Sequence, residues 1–321
     1  MSSLNIIGFG AMNIDRLYLV QRILTDGEAP IKRFTLSPGG SAANTIYGLA
    51  RLGIASGFLG TVGNDDPGQI LLRDFESKGV DSSRIKVKPK AETGSVLCLT
   101  DRLGQRALYV SPGANRLLTA RDIDLDYLKQ AKIVHLSPFV DRKQLEIQRS
   151  VLSKLSPSVK VSLAPGELYA AKGLRTLAPL IERTYILFLN RHELEQLTHE
   201  ARIEKGVQMC LEQGCQIVAV TLGKGVIRQG KTMACCLSDG KQEWIEAEPS
   251  GRRRAKETTG AGDAFAAGVL YGLLNEKGLR ECGLLGEIMA QLCIREIGAR
   301  PGLPSLSELA QRFQERVGRP M

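Results

Sequence analysis

The chain has few of the residues that carry metal, redox or nucleic-acid chemistry. Aromatic residues make up 5% of its 321 positions, and there are only three histidines. The seven cysteines form no CxxC pair and stand in apolar segments, so we expect buried, reduced thiols and no zinc site. No uninterrupted apolar segment approaches the roughly 18 residues of a membrane span, and the first residues lack the pattern of a secretory signal. These absences exclude a membrane partner and lead us to expect a cytoplasmic location.

The charge of the chain is positive but dispersed. The formal net charge is +9, yet the Lys and Arg residues are spread along the sequence with few aromatics among them. This distribution excludes a nucleic-acid partner. One cluster, Arg252–Arg254, lies just before a glycine-rich turn. It is either a solvated loop or part of a site for a nucleotide phosphate, and both interpretations stay open.

Apolar runs that are typical of strands alternate with amphipathic helical segments over most of the chain. SGFLGTVG, KIVHLS and YILFL are such runs, and SAANTIYGLARLG and DPGQILLRDFESKG are such helices. We expect Asp66 to cap the second helix, with Pro67 at its first position. The alternation predicts one α/β domain over residues 1–321, with a mainly parallel sheet between two layers of helices.

Two regions break this alternation. Residues from about 13 to 36 and from 93 to 110 have the period of antiparallel strands, and the second has a hairpin turn at Arg102–Gly104. They predict a small sheet lying over the main one. That sheet would act as a lid that keeps water from a reactive phosphate, or as a surface for a homodimer, and the two roles are compatible.

Two glycine motifs resemble nucleotide-binding signatures without the required context. GVIRQGKT, at Gly225–Thr232, fits the phosphate-loop pattern, but MACCLSDG after it is too short and turn-rich for the helix that such a loop opens. It reads better as two strands with a turn at Gln229–Lys231. GFGAMN, at Gly8–Asn13, lacks the third glycine of a dinucleotide fingerprint and is followed by a strand. A nicotinamide oxidoreductase is therefore not expected.

A third glycine motif has the right context. In TTGAGDAFAAG the glycines allow backbone angles that let successive N–H groups converge on one anion, and an apolar helix follows at once. The motif also places a carboxylate, Asp263, beside those amides. We expect the amides to hold a phosphate and the carboxylate to take a proton from an alcohol.

The motif is one of five that together resemble the ribokinase-like (PfkB) family of sugar and nucleoside kinases. The others are PGGSAANT, GTVGNDDPG, FLNRHELEQLT and VTLGKG, which occur in the family's order and spacing over nearly the whole chain. The resemblance implies a three-layer α/β/α sandwich with a mainly parallel central sheet and a small β-sheet lid. It also implies an ATP-dependent, Mg²⁺-requiring phosphotransferase.

The resemblance assigns roles on the phosphate side. Asp263 would be the catalytic base, for which an ordinary aspartate pKa suffices, and the amides of Gly260, Ala261 and Gly262 would form the anion hole. Asn190 and Glu193 would hold the water shell of Mg²⁺, sharing one face of a helix. The loop after a strand would contact the nucleotide. The nucleotide-binding residues so implied are Asn190, Thr221, Gly223, Gly225 and Thr259.

On the acceptor side the resemblance implies Asp15 against the acceptor hydroxyls, with Asn13 beside it. Gly39, Gly40 and Asn44 would form the substrate-binding start of a helix. Two positions depart from the family pattern. Glu257 replaces an aspartate that in some relatives helps to form a monovalent-cation loop with the segment CIREIGARPG, which leaves K⁺ dependence open, and Ala164 replaces another aspartate.

The sequence therefore predicts a kinase that transfers the γ-phosphate of ATP to a primary hydroxyl of a small sugar or ribonucleoside. GGSAANT resembles the nucleoside-kinase branch more than the ribokinases, which favours a ribonucleoside. Three alternatives stay open: a phosphosugar kinase, an ADP-dependent kinase, and a non-catalytic sugar- or nucleotide-binding regulator on the same fold.

Overall fold

The computed structural model describes residues 4–103, 105–248 and 256–321. Its strands, in chain order, are β1 (Ile6–Phe9), β2 (Asn13–Val20), β3 (Ile31–Gly39), β4 (Ser56–Gly63), β5 (Asp81–Lys88), β6 (Gly94–Thr100), β7 (Arg106–Ser111), β8 (Ile133–Leu136), β9 (Lys160–Leu163), β10 (Ile186–Asn190), β11 (Ile217–Arg228), β12 (Lys231–Ser238) and β13 (Gln242–Glu246). Its α-helices are α1 (Ser41–Arg51), α2 (Asp66–Glu76), α3 (Leu125–Leu128), α4 (Arg142–Leu152), α5 (Gly166–Ala170), α6 (Leu174–Ile181), α7 (Arg191–Thr198), α8 (Ile203–Glu212), α9 (Ala261–Leu274), α10 (Leu279–Cys293) and α11 (Leu306–Val317).

The large sheet is mainly parallel, as the sequence predicts. Its order in the described residues is β13-β12-β11-β10-β9-β8-β1-β4-β5, and only the β11–β12 and β12–β13 pairs are antiparallel. Successive strand residues face opposite layers. On β1, Ile6 packs with α1, α9 and α10, whereas Ile7 packs with the helices of the other face. The three-layer α/β/α prediction is confirmed.

The smaller sheet has the order β3-β2-β6-β7, built from the two regions whose alternation set them apart. The β2–β3 and β6–β7 pairs are antiparallel, but the central β2–β6 pair is parallel. The chain runs through β3, α1, β4, α2 and β5 between these two strands, a path long enough for the second strand to run parallel to the first. Gly104, in the expected hairpin turn, lies outside the described residues, as do Arg252–Arg254.

Three local expectations can be compared with the structure. The phosphate-loop look-alike is two antiparallel strands, β11 and β12, joined by Gln229 and Gly230, whose φ angles are 50° and 75°. This turn confirms the hairpin interpretation. Asp66 is not the cap of α2, because the carboxylate of Asp65 accepts the Gly68 N–H at 2.9 Å and is the N-cap. The sequence prediction was wrong by one residue.

All seven cysteines lie in the described part of the chain, and each is buried and free. Burial raises the pKa of Cys293, beside α9, to about 12. The thiols are therefore protonated at neutral pH. Among the described helices, none has the length and apolar character needed to cross a membrane.

Candidate active site

The first turn of α9 is fixed by a residue in the left-handed region. Gly260 caps the helix with φ of 78°, and a Cβ at this position would lie 2.4 Å from the Cβ of Ala299. Only glycine fits such a position without strain. The Ala261 N–H donates to Thr258 O at 3.3 Å, so one of the three amides expected in the anion hole has a partner in the protein. A Cβ at Gly262 would meet only open space.

Asp263 projects from this turn towards the start of α1. Its Oδ1 accepts from Ser41 Oγ at 2.7 Å, its Oδ2 accepts from Asn44 Nδ2 at 2.9 Å, and its carbonyl accepts from Thr45 Oγ1 at 3.3 Å. Burial raises the pKa of Asp263 to about 6, although the Asn44 and Ser41 donors and the charge of Arg300 oppose the shift. An ordinary aspartate pKa would suffice for a base, and the sequence motif gives no sign of the raised value because it does not reveal how far the side chain is removed from water.

Asn44 is held on both sides. Besides donating to Asp263, it accepts from Arg300 Nε at 3.0 Å, and its side chain is 4% exposed. Since both ends of the amide have protein partners, the orientation of its oxygen and nitrogen follows from the network. The structure thus places Asn44 as a support of Asp263, whereas the resemblance implied a substrate contact.

Asp15 lies on β2 with 7% exposure, beside Gly39 of β3. A Cβ at Gly39 would lie 2.3 Å from Asp15 Oδ1, so glycine makes room for the carboxylate. Burial raises the pKa of Asp15 to about 7, the charge of Arg300 lowers it, and the nearby Asp263 and Glu257 carboxylates raise it further. Two acids with raised pKa values therefore lie near one another.

A cavity of about 150 Å³ opens at the start of α1, and several of its polar lining residues have defined partners. Ser41 donates to Asp263, and Asn13 Oδ1 accepts from Asn115 Nδ2 at 3.0 Å. Gly40, with φ of 96°, supports this turn, where a Cβ would lie 2.3 Å from Ala11 O. The cavity, which we call the acceptor cavity, is lined by Ala11, Asn13, Ser41, Val110, Pro112, Asn115, Arg116, Pro138, Phe139, Val140, Asp141, Gln144 and Leu168.

A larger cavity of about 790 Å³ adjoins the α9 turn. The predicted residues that line it are Asn190, Thr221, Gly223, Ala261 and Gly262. We expected Thr221 and Gly223 to lie in a loop that follows a strand, but the structure places them within a strand. They occupy an irregular stretch within β11, where pairing with β12 shifts between Thr221 and Val226. We call this space the nucleotide cavity.

Thr259 and Gly225, also predicted to bind the nucleotide, are not among the residues that line this cavity. Thr259 Oγ1 donates to Glu257 Oε1 at 2.5 Å, and the other oxygen of Glu257 accepts the Gly298 N–H at 2.9 Å. Gly225, with φ of 89°, lies against Thr232 of β12. The contacts of Glu257 tie the α9 turn to the segment that the resemblance associates with a cation loop.

Asn190 and Glu193 form a capping box at the start of α7. Asn190 Oδ1 accepts the Glu193 N–H at 2.8 Å, and Glu193 Oε2 accepts the Asn190 N–H at 2.9 Å. Asn190 is the N-cap of α7 and Glu193 is its third residue, so the two lie side by side at the start of the helix. Burial and the charges of Asp263 and Glu167 raise the pKa of Glu193.

This pair fits a metal held mainly through water. Within residues 4–103, 105–248 and 256–321 there is no cluster of three or more His, Cys, Asp or Glu side chains that could hold an ion directly. Mg²⁺ keeps most of its waters and takes few protein carboxylates. One carboxylate beside the nucleotide cavity suits that preference, and its acidic neighbours favour a nearby cation.

Three residues near the site escaped the sequence analysis. Ser41 lies inside the PGGSAANT motif but was not singled out. Arg106 of β7 lines the nucleotide cavity and its Nη1 lies 3.4 Å from Thr259 Oγ1. Arg300, 3% exposed, reaches Asn44 across 256 positions of sequence. No local pattern signals a contact between residues so far apart.

Comparison with known proteins shows which chains this one is similar to. A model described as pfkB family carbohydrate kinase matches residues 3–306. An uncharacterised sugar kinase of Archaeoglobus fulgidus is 37% identical over 80% of this chain and 98% of its own length. A nucleoside kinase of Methanothermobacter thermautotrophicus is 28% identical over 90% and 88% of the two chains. The crystal structure of adenosine kinase from Sinorhizobium meliloti superposes with a TM-score of 0.84 at 22% identity, covering 97% and 99%.

Proposed function

We propose that this chain, which belongs to the pfkB family of carbohydrate kinases, transfers the γ-phosphate of ATP to a primary hydroxyl of a ribonucleoside. The family makes the chain a phosphotransferase that acts on a small sugar-like or nucleoside acceptor. One observation carries the finer proposal. Asp263 follows directly on Ala261 and Gly262, which line the nucleotide cavity, and accepts from Ser41, which lines the acceptor cavity.

Asp263 is suited to act as the general base. A base works best when its pKa lies near the working pH, and burial brings the pKa of Asp263 to about 6. Its two donors, Ser41 and Asn44, hold the carboxylate in place before the substrate arrives. Phosphoryl transfer depends mainly on such positioning and on groups that receive the developing charge. The N–H groups at the start of α9 are the candidates for that second task.

The nucleotide cavity supports ATP as the donor. Its volume of about 790 Å³ is within the range of small-molecule sites. Asn190 and Glu193 would keep a hydrated Mg²⁺ at the phosphates, which neutralises charge on the transferred group. Thr221 and Gly223 would contact the nucleotide from β11. Thr259 would act indirectly, through Glu257.

The acceptor cavity favours a nucleoside over a free sugar. Its polar lining residues, which include Asn13 and Ser41, are accompanied by apolar ones, which are Ala11, Val110, Pro112, Pro138, Phe139, Val140 and Leu168. A free hexose exposes hydroxyls on every side and needs polar partners for them, because an unpaired buried hydroxyl is costly. A heterocyclic base has two apolar faces. We therefore place the ribose near Asp15, Gly39 and Gly40 and the base between the apolar walls.

The small sheet would serve both as a lid on this single unit and as a homodimer surface. On β7, Arg106 lines the nucleotide cavity while Val110 lines the acceptor cavity, so one strand touches both. The opposite face of the sheet exposes apolar side chains, with Phe34 at 46%, Leu36 at 47% and Tyr109 at 63%. A second copy of the chain would cover that face.

Product formation from labelled ATP with a panel of nucleosides and free sugars tests the proposal, with Asp263→Asn and the exposed Asp239→Asn as a matched pair. We expect nucleoside 5′-phosphates, a loss of at least about 10²-fold in kcat for Asp263→Asn, and no change for Asp239→Asn. The kcat of the unaltered protein should fall as pH drops through about 6, since protonated Asp263 cannot accept a proton. Full turnover by Asp263→Asn would exclude the mechanism.

A further inference from the structure

Arg300 occupies a position that invites a role beyond packing. Its side chain is 4% exposed and forms an ion pair with Asp74 of α2. The guanidinium carbon lies 4.9 Å from the centre of the Tyr47 ring and 5.2 Å from that of Phe75. Removing a guanidinium from water is costly, and burial lowers the pKa of Arg300 while Asp74 raises it. Such a buried cation is retained where its contacts matter.

Two of those contacts lead to the reacting groups. Arg300 Nε donates to Asn44 Oδ1 at 3.0 Å, and Asn44 Nδ2 donates to Asp263 Oδ2 at 2.9 Å. Arg300 Nη2 also donates to Gly39 O at 3.4 Å, on the backbone that adjoins Asp15. The guanidinium therefore contacts Asn44, which supports the Asp263 carboxylate, and Gly39, which adjoins the Asp15 carboxylate.

The charges around Asp263 show why this matters. The charge of Asp263 raises the pKa of Asp15 of β2, of Glu193 of α7 and of the Cys293 thiol of α10, which is protonated at neutral pH. In the described part of the chain, Arg300 is the one cation found to lower the pKa of Asp263. The same guanidinium lowers the pKa of Asp15.

We propose that Arg300 is a positioning residue of the phosphotransfer site: it orients the Asn44 amide so that its nitrogen faces Asp263, and its charge keeps the base ionised among surrounding acids. This inference rests on the proposed function. The argument is chemical. With Arg300 removed, the Asn44 amide could present either its oxygen or its nitrogen, and an oxygen facing Asp263 would repel the carboxylate.

The pH dependence of kcat tests this role, because a purely structural contact would lower thermal stability without moving the acid limb. We expect Arg300→Gln to move the acid limb upward by about half a pH unit, less than for a directly paired charge, because Arg300 reaches Asp263 through Asn44. Arg300→Lys, which keeps the charge, should move the acid limb much less than Arg300→Gln does. Arg295→Gln, in the same segment but away from the base, should leave the profile unchanged.

Two further variants keep the test decisive. Asp74→Asn with Arg300→Gln avoids leaving Asp74 without its cation, and the limb should shift in this background too. A cycle of Asn44→Ala, Arg300→Gln and the double variant should be non-additive in kcat, because both act on Asp263 through one chain of contacts.

Three results would each overturn the role of Arg300. They are an unshifted acid limb in the folded Asp74→Asn, Arg300→Gln variant, an equal shift of the limb in Arg300→Lys and Arg300→Gln, and additivity of kcat in the cycle with Asn44→Ala. These outcomes differ from a failure of the proposed function. If Asp263→Asn keeps full turnover, the base assignment falls whatever the Arg300 variants do.

Discussion

The two glycines that flank Ala261 should respond to alanine in opposite ways. Gly262 has an ordinary helical conformation and open space where a Cβ would stand, whereas Gly260 has φ of 78° and would place a Cβ 2.4 Å from that of Ala299. Gly262→Ala should therefore leave the fold intact or stabilise it by about 0.5–1 kcal/mol, as alanine does in helices. Gly260→Ala should cost about 2–5 kcal/mol from left-handed strain and overpacking together.

The effect on activity should follow from the cavity and not from stability. Gly262 lines the nucleotide cavity, so the added methyl of Gly262→Ala would stand where the phosphate approaches the backbone. A displacement of about 1 Å at a reacting group can cost about 10²-fold. We expect kcat/KM for ATP to fall by about 10- to 100-fold in Gly262→Ala, while the midpoint of thermal unfolding stays within about a degree.

Initial rates with varied ATP, together with thermal unfolding of the same preparations, measure both quantities. Gly278→Ala is the control, because this glycine caps another helix, α10, and, as at Gly262, its Cβ would meet open space. It should change neither rate nor stability. If Gly262→Ala is as active as Gly278→Ala, no phosphate lies against the α9 turn and the anion-hole assignment is wrong.

Two further predictions concern pH and assembly. Asp15→Asn should raise thermal stability relative to the unaltered protein increasingly from pH 5 to 8. The folded-state pKa of Asp15 is about 7 against an ordinary 3.8. Protonated Asp15 therefore contributes to the free energy of unfolding at low pH, and up to about 4 kcal/mol of that contribution is lost as pH rises through 7. A difference in stability between Asp15→Asn and the unaltered protein that does not change with pH would contradict this. Phe34→Glu should convert the expected dimer to a monomer in light scattering, while Val87→Glu, also exposed, should not; an unaltered protein that is already monomeric would refute the dimer.

The fold was predictable from the sequence because its signals are local. Strands such as Ser56–Gly63 are buried on both faces and read as short apolar runs between helices. One expectation was wrong because two adjacent residues were equally suitable for one position. Asp65 and Asp66 are both suitable caps, and only the distance to the Gly68 N–H decides between them. The parallel pairing of β2 and β6 depends on the path of the intervening chain, which alternation does not encode.

The site was predictable where it is contiguous. The turn from Gly260 to Asp263 carries its own signal, since glycines and a carboxylate open an apolar helix. Asn44 was identified too, but its partners were not, because Asp263 and Arg300 lie 219 and 256 positions away. Contacts of this range are set by the packing of α1 against α9 and the loop after α10, which a single sequence does not display.

The raised pKa values of Asp15 and Asp263 have a common origin that also explains their usefulness. Burial makes both carboxylates resist ionisation, and the charges of Asp263 and Glu257 add to this effect at Asp15. A fold selected only for stability would replace them with neutral residues, as the expected effect of Asp15→Asn illustrates. Their retention makes sense if the site needs a carboxylate that accepts a proton near neutral pH, with one buried guanidinium to limit how far the pKa rises. The unfavourable burial of these two carboxylates is thus a consequence of the chemistry that the cavities support.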